Sequence, residues 1–308
     1  MKSNLHKPVL LKESIKLLDI NPTGIYVDAT AGRGGHSAEI LKHLTTGRLI
    51  CIDTDNEAVI FLKEKFIDNK NVTIVRGNFK DIKNILYKLG VNKIDGLLLD
   101  LGVSSPQLDN LERGFSYHQK SMLDMRMDNT QELDAKYIVN NYSGAELFRI
   151  FKEYGEVANP KKVISLILDK RKAGEAITDT NELVKIIKEG STFKELNSEK
   201  HPARKYFQAI RIEVNKELDN LKNVLTSLPE IMNKNGTVVI ITFHSLEDRI
   251  VKNEFATLCT SEVPNYVPTV NSPAAFVSIT KKPVLPSAKE VETNKRSRSA
   301  KIRGVKKT

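Results

Sequence analysis

The sequence predicts an α/β protein: a doubly wound, Rossmann-like sheet interrupted by an all-helical domain. Three observations carry this. Short β-rich runs alternate with helical patterns over the first 100 residues, about 100 residues then show helical periodicity alone, and a strongly apolar β-run returns at residues 237–243. Repeated βα units close into a parallel sheet with helices on both faces. A chain that leaves such a sheet and later returns to it encloses an inserted domain.

The elements follow in order. Ile25-Tyr26-Val27-Asp28 is a first strand, leading into the glycine-rich Ala31-Gly32-Arg33-Gly34-Gly35. Ala38, Ile40, Leu41 and Leu44 then fall at helical spacing. Leu49-Ile50-Cys51-Ile52-Asp53 is a second strand, and Ala58, Val59, Leu62 and Phe66 mark a second helix. Residues 72–75 form a third strand, Ile82, Ile85, Leu86 and Leu89 a third helix, and residues 94–99 a fourth strand. The continuous apolar run in that fourth strand suits burial on both faces. After Asp100 the rhythm stops, and residues 105–203 read as helices. Beyond the His201-Pro202 breaker, Phe207, Ile210, Val214, Leu218, Leu221, Leu225 and Leu228 predict one long helix. Asn235-Gly236 turns the chain into the fifth strand, and a β-like run at 275–280 precedes a basic tail. The expected domains are 1–105 with 206–308, and an insertion over 106–205.

Composition narrows the class. With 308 residues, 40% of them hydrophobic, the chain can build a full core, which excludes wholesale disorder. Cys51 and Cys259 cannot make a disulfide framework. The Val9-Leu10-Leu11 run is too short for a signal peptide, and no stretch is apolar enough to span a membrane. A cytoplasmic protein is expected. The net charge of +10 is unevenly placed: residues 281–308 hold ten basic residues against Glu290 and Glu292, so the tail carries +8 and the rest only +2. Concentrated positive charge suits a nucleic-acid backbone, and a solvated tail is the competing reading.

The glycine-rich turn after the first strand brings backbone close to a ligand at a helix N-terminus. Gly32-Arg33-Gly34 nearly fits a dinucleotide fingerprint, but Asp28 beside the loop would repel a pyrophosphate and attract a cation. Asp53 ends the second strand, where a carboxylate can accept both hydroxyls of a ribose. Asn78 and Phe79 follow the third strand and can meet an adenine edge and face, and Asp100 ends the fourth. Together these residues describe a site for S-adenosylmethionine, which carries a ribose and an amino-acid end but no phosphate.

Longer motifs then stand out: Arg33-Gly34-Gly35-His36-Ser37, Asp100-Leu101-Gly102-Val103-Ser104-Ser105-Pro106-Gln107-Leu108-Asp109, Arg113-Gly114-Phe115-Ser116, Leu123-Asp124-Met125-Arg126-Met127-Asp128, Tyr154-Gly155-Glu156, His201-Pro202-Ala203-Arg204 with Phe207-Gln208-Ala209-Ile210-Arg211-Ile212, Phe243-His244-Ser245-Leu246-Glu247-Asp248-Arg249, and Arg296-Ser297-Arg298-Ser299-Ala300-Lys301. In these the chain resembles the MraW family of bacterial small-subunit ribosomal RNA methyltransferases from end to end. The resemblance implies a class I methyltransferase sheet, an inserted substrate-recognition domain, and methylation of N4 of a cytidine in the decoding (P-site) region of 16S rRNA. It places cofactor contacts at Gly34, Gly35, His36, Asp53, Phe79, Asp100 and Gln107, to which the residues themselves add Asp28, Gly32 and Asn78. By motif match, His6, Arg113, Arg126, Arg204 and Arg211 become candidate RNA contacts. The partner implied is 16S rRNA or the small subunit, with monomer and homodimer both open.

Cytosine's exocyclic amine is a poor nucleophile, so transfer needs in-line alignment and an acceptor for the amine hydrogen. Asp100, Ser104 or Ser105 can provide it. His244, just past the fifth strand, could bind phosphate, assist proton loss, or be an ordinary turn residue. Methylation at carbon 5 would need a cysteine nucleophile, and both cysteines read as apolar fillers. No side-chain cluster has metal-ligand spacing, so no metal is expected. The insertion is near neutral (15 basic and 14 acidic residues over 121–210), which suggests recognition by shape. In the tail, Lys295, Arg296, Arg298, Lys301 and Arg303 are the expected RNA contacts, at least Asn294 to Arg303 is expected to order near the cleft or on the RNA, and deleting 293–308 is expected to steepen the loss of rRNA methylation at rising salt while leaving cofactor affinity largely intact. Two alternatives stand beside this reading: an S-adenosylmethionine methyltransferase on another substrate, and an RNA-binding assembly protein with a vestigial cofactor site.

Overall fold

The computed structural model describes residues 7–260 and 274–308, so His6 lies outside the described residues. The chain divides into two units, Met1–Gly102 with Leu218–Thr308, and Val103–Glu217. The first begins with α1 (Leu11–Leu18), β1 (Ile25–Asp28), α2 (Gly35–His43), β2 (Arg48–Asp53), α3 (Asn56–Lys65), β3 (Val72–Arg76), α4 (Ile82–Lys88) and β4 (Ile94–Asp100). The second holds α5 (Ser105–Asp109), α6 (Ala135–Asn141), α7 (Gly144–Glu153), α8 (Lys161–Lys172), α9 (Thr180–Gly190), α10 (Phe193–Leu196) and α11 (Ala203–Asn215). The chain returns through α12 (Glu217–Ile231), β5 (Met232–Thr242), α13 (Ser245–Leu258), β6 (Phe276–Ser278), α14 (Ala288–Thr293) and β7 (Lys301–Lys307).

The sheet order is β3-β2-β1-β4-β5-β7-β6, parallel from β3 to β5. Successive strand residues feed two opposite cores. Ile50, Ile52, Leu97, Leu99, Val238 and Ile240 pack with Leu221, Val224 and Leu228 of α12. Leu49, Cys51, Leu98, Val239 and Ile241 pack with Leu18, Ile40 and Leu62. Each such side chain contributes about 1.5–3 kcal/mol on burial, which explains why these strands are apolar throughout. Cys51 lies within one of these cores, and burial pushes its thiol up to about 12, so it is a filler without nucleophilic character. The order reverses between β1 and β4, so the crevice beyond their carboxyl ends is the place where such sheets bind ligands. The helical unit has its own core, built on Ile138, Leu147, Ile150, Phe151, Val163, Ile167, Leu183 and Ile187.

Three expectations are corrected. The single helix expected from residue 203 to 228 is two helices, because Lys216 turns left-handed at φ 52°. Asn215 fixes the break: its Nδ2 donates to the Met125 carbonyl and its Oδ1 accepts from the Met127 amide. Apolar periodicity runs on across the break because α11 and α12 feed different cores. The division therefore falls at Val103 and Glu217 instead of 106 and 205, since Phe207, Ile210 and Val214 belong to the helical unit's core.

The third correction concerns the effect of truncating the tail, because its last strand is built into the sheet. β7 pairs antiparallel with β5 on one side and β6 on the other, and Ile302 and Val305 are fully buried. Removing 293–308 would strip a strand from inside the sheet, so the expectation that truncation spares the cofactor site fails.

Candidate functional site

The loop between β1 and α2 is built by its own backbone and by its neighbours. The Ala29 amide donates to the Leu98 carbonyl and the Ala31 amide to that of Ile52, tying the loop to the ends of β4 and β2. Gly34 caps α2 at φ +65°, in the left-handed region, where an added Cβ would stand 2.8 Å from Leu62. At Gly35 an added Cβ would stand 2.3 Å from Pro8 Cγ. These glycines let α3 and the N-terminal segment close on the loop. Gly32, at φ +51°, donates its amide to Asp53 Oδ2 at 2.8 Å, and the Asp55 amide reaches Oδ1 at 2.8 Å. Each Asp53 oxygen keeps a further lone pair for a ligand hydroxyl.

Three aspartates converge at the switch point. Asp28 is almost fully buried; its Oδ2 accepts from Ser37 Oγ at 2.6 Å and its Oδ1 from the Thr30 amide. It braces the loop, a more internal use than the ligand contact expected of it. Asp100 receives no such support: its amide donates to Thr30 Oγ1 at 2.6 Å, but its carboxylate Oδ1 is buried with no hydrogen-bond partner. Burial raises Asp28 and Asp53 to about 6 each, and burial with the charges of Asp28 and Glu247 raises Asp100 well above its ordinary value.

His36 sits between this cluster and the N-terminal segment. Its Nε2 lies 3.0 Å from the Val9 carbonyl, which can only accept, so Nε2 carries the proton. Its Nδ1 lies 3.7 Å from Asp100 Oδ2. Burial lowers His36 to about 4, so the ring is neutral. Beyond β3, Asn78 Oδ1 accepts from the Lys80 amide, and Phe79 is partly buried against the sheet core.

An acidic crevice with a ribose-type carboxylate, a glycine loop and an orphaned buried acceptor fits a cationic nucleoside such as S-adenosylmethionine. The same charges disfavour a dinucleotide phosphate.

His244 caps α13. Its Nδ1 accepts from the Glu247 amide at 3.4 Å, its Nε2 lies 3.1 Å from Glu247 Oε1, and Glu247 Oε2 in turn accepts from the Phe243 amide. Helix capping is one of the roles left open for it by the sequence. Glu247 itself, buried and facing Asp100 electrostatically, was not singled out from the sequence; the Glu three residues after the helix-capping position is the signal that marks it.

Three more candidates lie in the helical unit. Ser104 and Gln107 form a capping box at the start of α5: Ser104 Oγ accepts from the Gln107 amide, and Gln107 Oε1 from the Ser104 amide. Ser105 is the first residue of that helix.

Five of the candidate RNA cations hold partners within the protein, where carbonyls and carboxylates take up donors. Arg113 is buried and donates to the carbonyls of Arg126 and Met127. Arg126 grips Asp124 and the Gln131 carbonyl. Arg211 makes a two-point bridge to Glu217 at 2.8 Å. Lys301 and Arg303 both bind Asp248, at 3.0 and 2.7 Å. Arg204 keeps a buried Nε without a partner. Lys295, Arg296 and Arg298 remain exposed on the turn before β7.

The chain matches a known family over nearly its whole length. The model of the MraW methylase family matches residues 3–308. The chain is 49% identical over 306 residues to the ribosomal RNA small subunit methyltransferase H of Ureaplasma urealyticum, covering 99% of each chain. It is 47% identical to the protein of that name from Clostridium botulinum, covering 98% of each.

Proposed function

The chain belongs to the MraW methylase family, and from that premise we propose that it methylates N4 of a cytidine in the decoding region of 16S rRNA, with S-adenosylmethionine as methyl donor. The observation that carries the chemistry is the buried, unpartnered Asp100 Oδ1 at the end of β4.

S-adenosylmethionine supplies an electrophilic methyl group on a sulfonium centre. Asp53 would hold the ribose hydroxyls, the backbone at Gly32 and Gly34 would approach the amino-acid end, and Phe79 with Asn78 would meet the adenine. Asp100 Oδ1 would accept a hydrogen of the cytosine amine, drawing electron density onto that nitrogen and taking the proton it sheds as the N–C bond forms. A carboxyl already raised by burial is suited to receive that proton. His36 Nδ1, fixed as a lone pair by the Val9 contact, faces the other carboxyl oxygen, Oδ2, at 3.7 Å, so neutralising Asp100 by protonation would relieve the repulsion between that lone pair and the carboxylate charge. The target base has to leave its stack to reach Asp100, at a cost of a few kcal/mol, which favours a loop or junction site.

The test is transfer of labelled methyl from S-adenosylmethionine to bare 16S rRNA, to assembled small subunits and to lysate protein, followed by nucleoside digestion. Label recovered as N4-methylcytidine is the expected result. Label in protein, or in another nucleoside, would overturn the reading, and no transfer to any substrate would favour a vestigial cofactor site.

A further inference from the structure

The helical unit carries an aromatic cluster that the proposed chemistry does not use. Tyr117 stacks on His201 with ring centroids 5.0 Å apart and planes inclined by 19°. Tyr117 also meets the buried Phe207 edge-on at 5.6 Å, so its ring is held from the core. His118, exposed, lies 4.5 Å from Tyr117 and 5.8 Å from His201. The His201 orientation is fixed as well, because its Nδ1 accepts from the Ala203 amide at the start of α11. Burial, with Lys188 and His118 nearby, keeps this imidazole below its ordinary value and therefore neutral at pH 7. Lys188 is exposed.

We infer that Tyr117, His118 and His201 form a stacking platform for an unpaired RNA base, with Lys188 placed to meet the adjoining phosphate. Single-stranded RNA is recognised by rings on which splayed bases stack, beside cations that track the backbone. A core-only explanation accounts for Tyr117 on Phe207, but not for an exposed imidazole completing a three-ring group. The platform also gives a near-neutral unit a means of holding RNA without bulk charge. This inference rests on the reading of the chain as an RNA methyltransferase.

The test measures binding of a short labelled single-stranded oligoribonucleotide by fluorescence anisotropy, without cofactor, across a salt series. His118→Ala removes an exposed ring. His201→Asn removes a ring but keeps a side-chain acceptor for the Ala203 amide. Each is expected to weaken binding about tenfold, with unchanged melting temperature and unchanged salt slope, and His118→Phe is expected to restore it. Unaltered affinity in both variants would overturn the platform, as would an equal loss on duplex RNA or a shallower salt slope, which would mark a phosphate contact. Wild-type protein that binds and methylates RNA while both variants bind as tightly would sink the platform alone. Wild-type protein that binds neither the oligoribonucleotide nor 16S rRNA or small subunits would sink the functional reading with it.

Discussion

His36 presents its Nδ1 lone pair to Asp100 Oδ2 across 3.7 Å, while its Nε2–H is held by the Val9 carbonyl. A lone pair opposite an ionised carboxylate is unfavourable, and a proton placed between them removes the conflict. The pair is thus arranged to receive a proton from the crevice side. Asp100→Asn preserves the shape and an oxygen acceptor but removes the charge and the basicity needed to take the proton. It should lower methyl transfer at least a hundredfold, the usual scale of a general base, while changing cofactor affinity only a few-fold by calorimetry. Near-normal turnover would show that the proton goes elsewhere.

The same imidazole makes stability depend on pH. His36 is lowered from 6.5 to about 4 in the folded chain. A base with a lowered folded value binds more protons when unfolded, so its contribution is complete above pH 6.5 and is lost as pH falls through 4. Asp28 runs the other way: raised to about 6, it favours the fold below pH 4, and that benefit is lost as pH rises through 6. The two trends overlap, so the comparison has to be against a variant. Between pH 7.5 and 4.5 the wild type should lose about 2–3 kcal/mol relative to His36→Gln, measured by denaturant unfolding at both values. Parallel curves would mean that His36 titrates normally.

The N-terminal segment reaches the site through Pro8. Gly35→Ala would drive a methyl group to within 2.3 Å of Pro8 Cγ and shift Val9, whose carbonyl anchors His36. Overpacking of this kind costs about 1–3 kcal/mol. Because the strain falls on the loop, cofactor affinity should drop about tenfold with the circular dichroism spectrum unchanged. Undiminished affinity would show that the segment yields without moving the loop.

Much of this was legible in residues 25–100, because local periodicity, strand-end carboxylates and glycines are all short-range signals. Asp28, Gly34, Asp53 and Asp100 fall where the strand pattern put them. Long-range uses were not legible. Nothing near Arg303 in the sequence announces Asp248, 55 residues away, and nothing near Arg113 announces the carbonyls of Arg126 and Met127. Alternation in Lys301-Ile302-Arg303-Gly304-Val305 is a strand pattern, but its positive charge masks it. The break at Lys216 is silent for a different reason, since two helices feeding different cores can share one apolar period.

The Asp248 cluster explains why the tail belongs to the fold. Asp248 is mostly buried, and the Arg303 and Lys301 charges hold it below the usual carboxylate range against the opposing effect of burial. Arg303→Ala leaves that carboxylate with one cation and should cost about 1–3 kcal/mol. The loss should fade as acid protonates Asp248, since a lowered carboxyl stabilises only above its folded value. A deletion of 301–308 should abolish cooperative thermal unfolding altogether. A truncated protein that still melts in one transition would refute the strand's structural role.

Lys295 and Arg298 therefore bear the RNA-binding expectation for the tail. They are exposed on a turn whose Ser297 is fully buried, with its Oγ donating to the Asn294 carbonyl, so the turn is held in place beneath these two side chains. Replacing both with Gln should leave the melting temperature within a degree or two, as surface changes usually do. It should also flatten the salt dependence of RNA binding, by about 0.7 in log–log slope for each single-strand phosphate that is no longer neutralised. Arg113→Ala is the contrasting case. It exposes no new surface charge but takes the donor from two partly buried carbonyls, so it should cost about 1–3 kcal/mol of stability and leave the salt slope of the folded fraction unchanged. If the double variant destabilised the fold, or Arg113→Ala altered the slope, the division between structural and RNA-facing cations would be wrong.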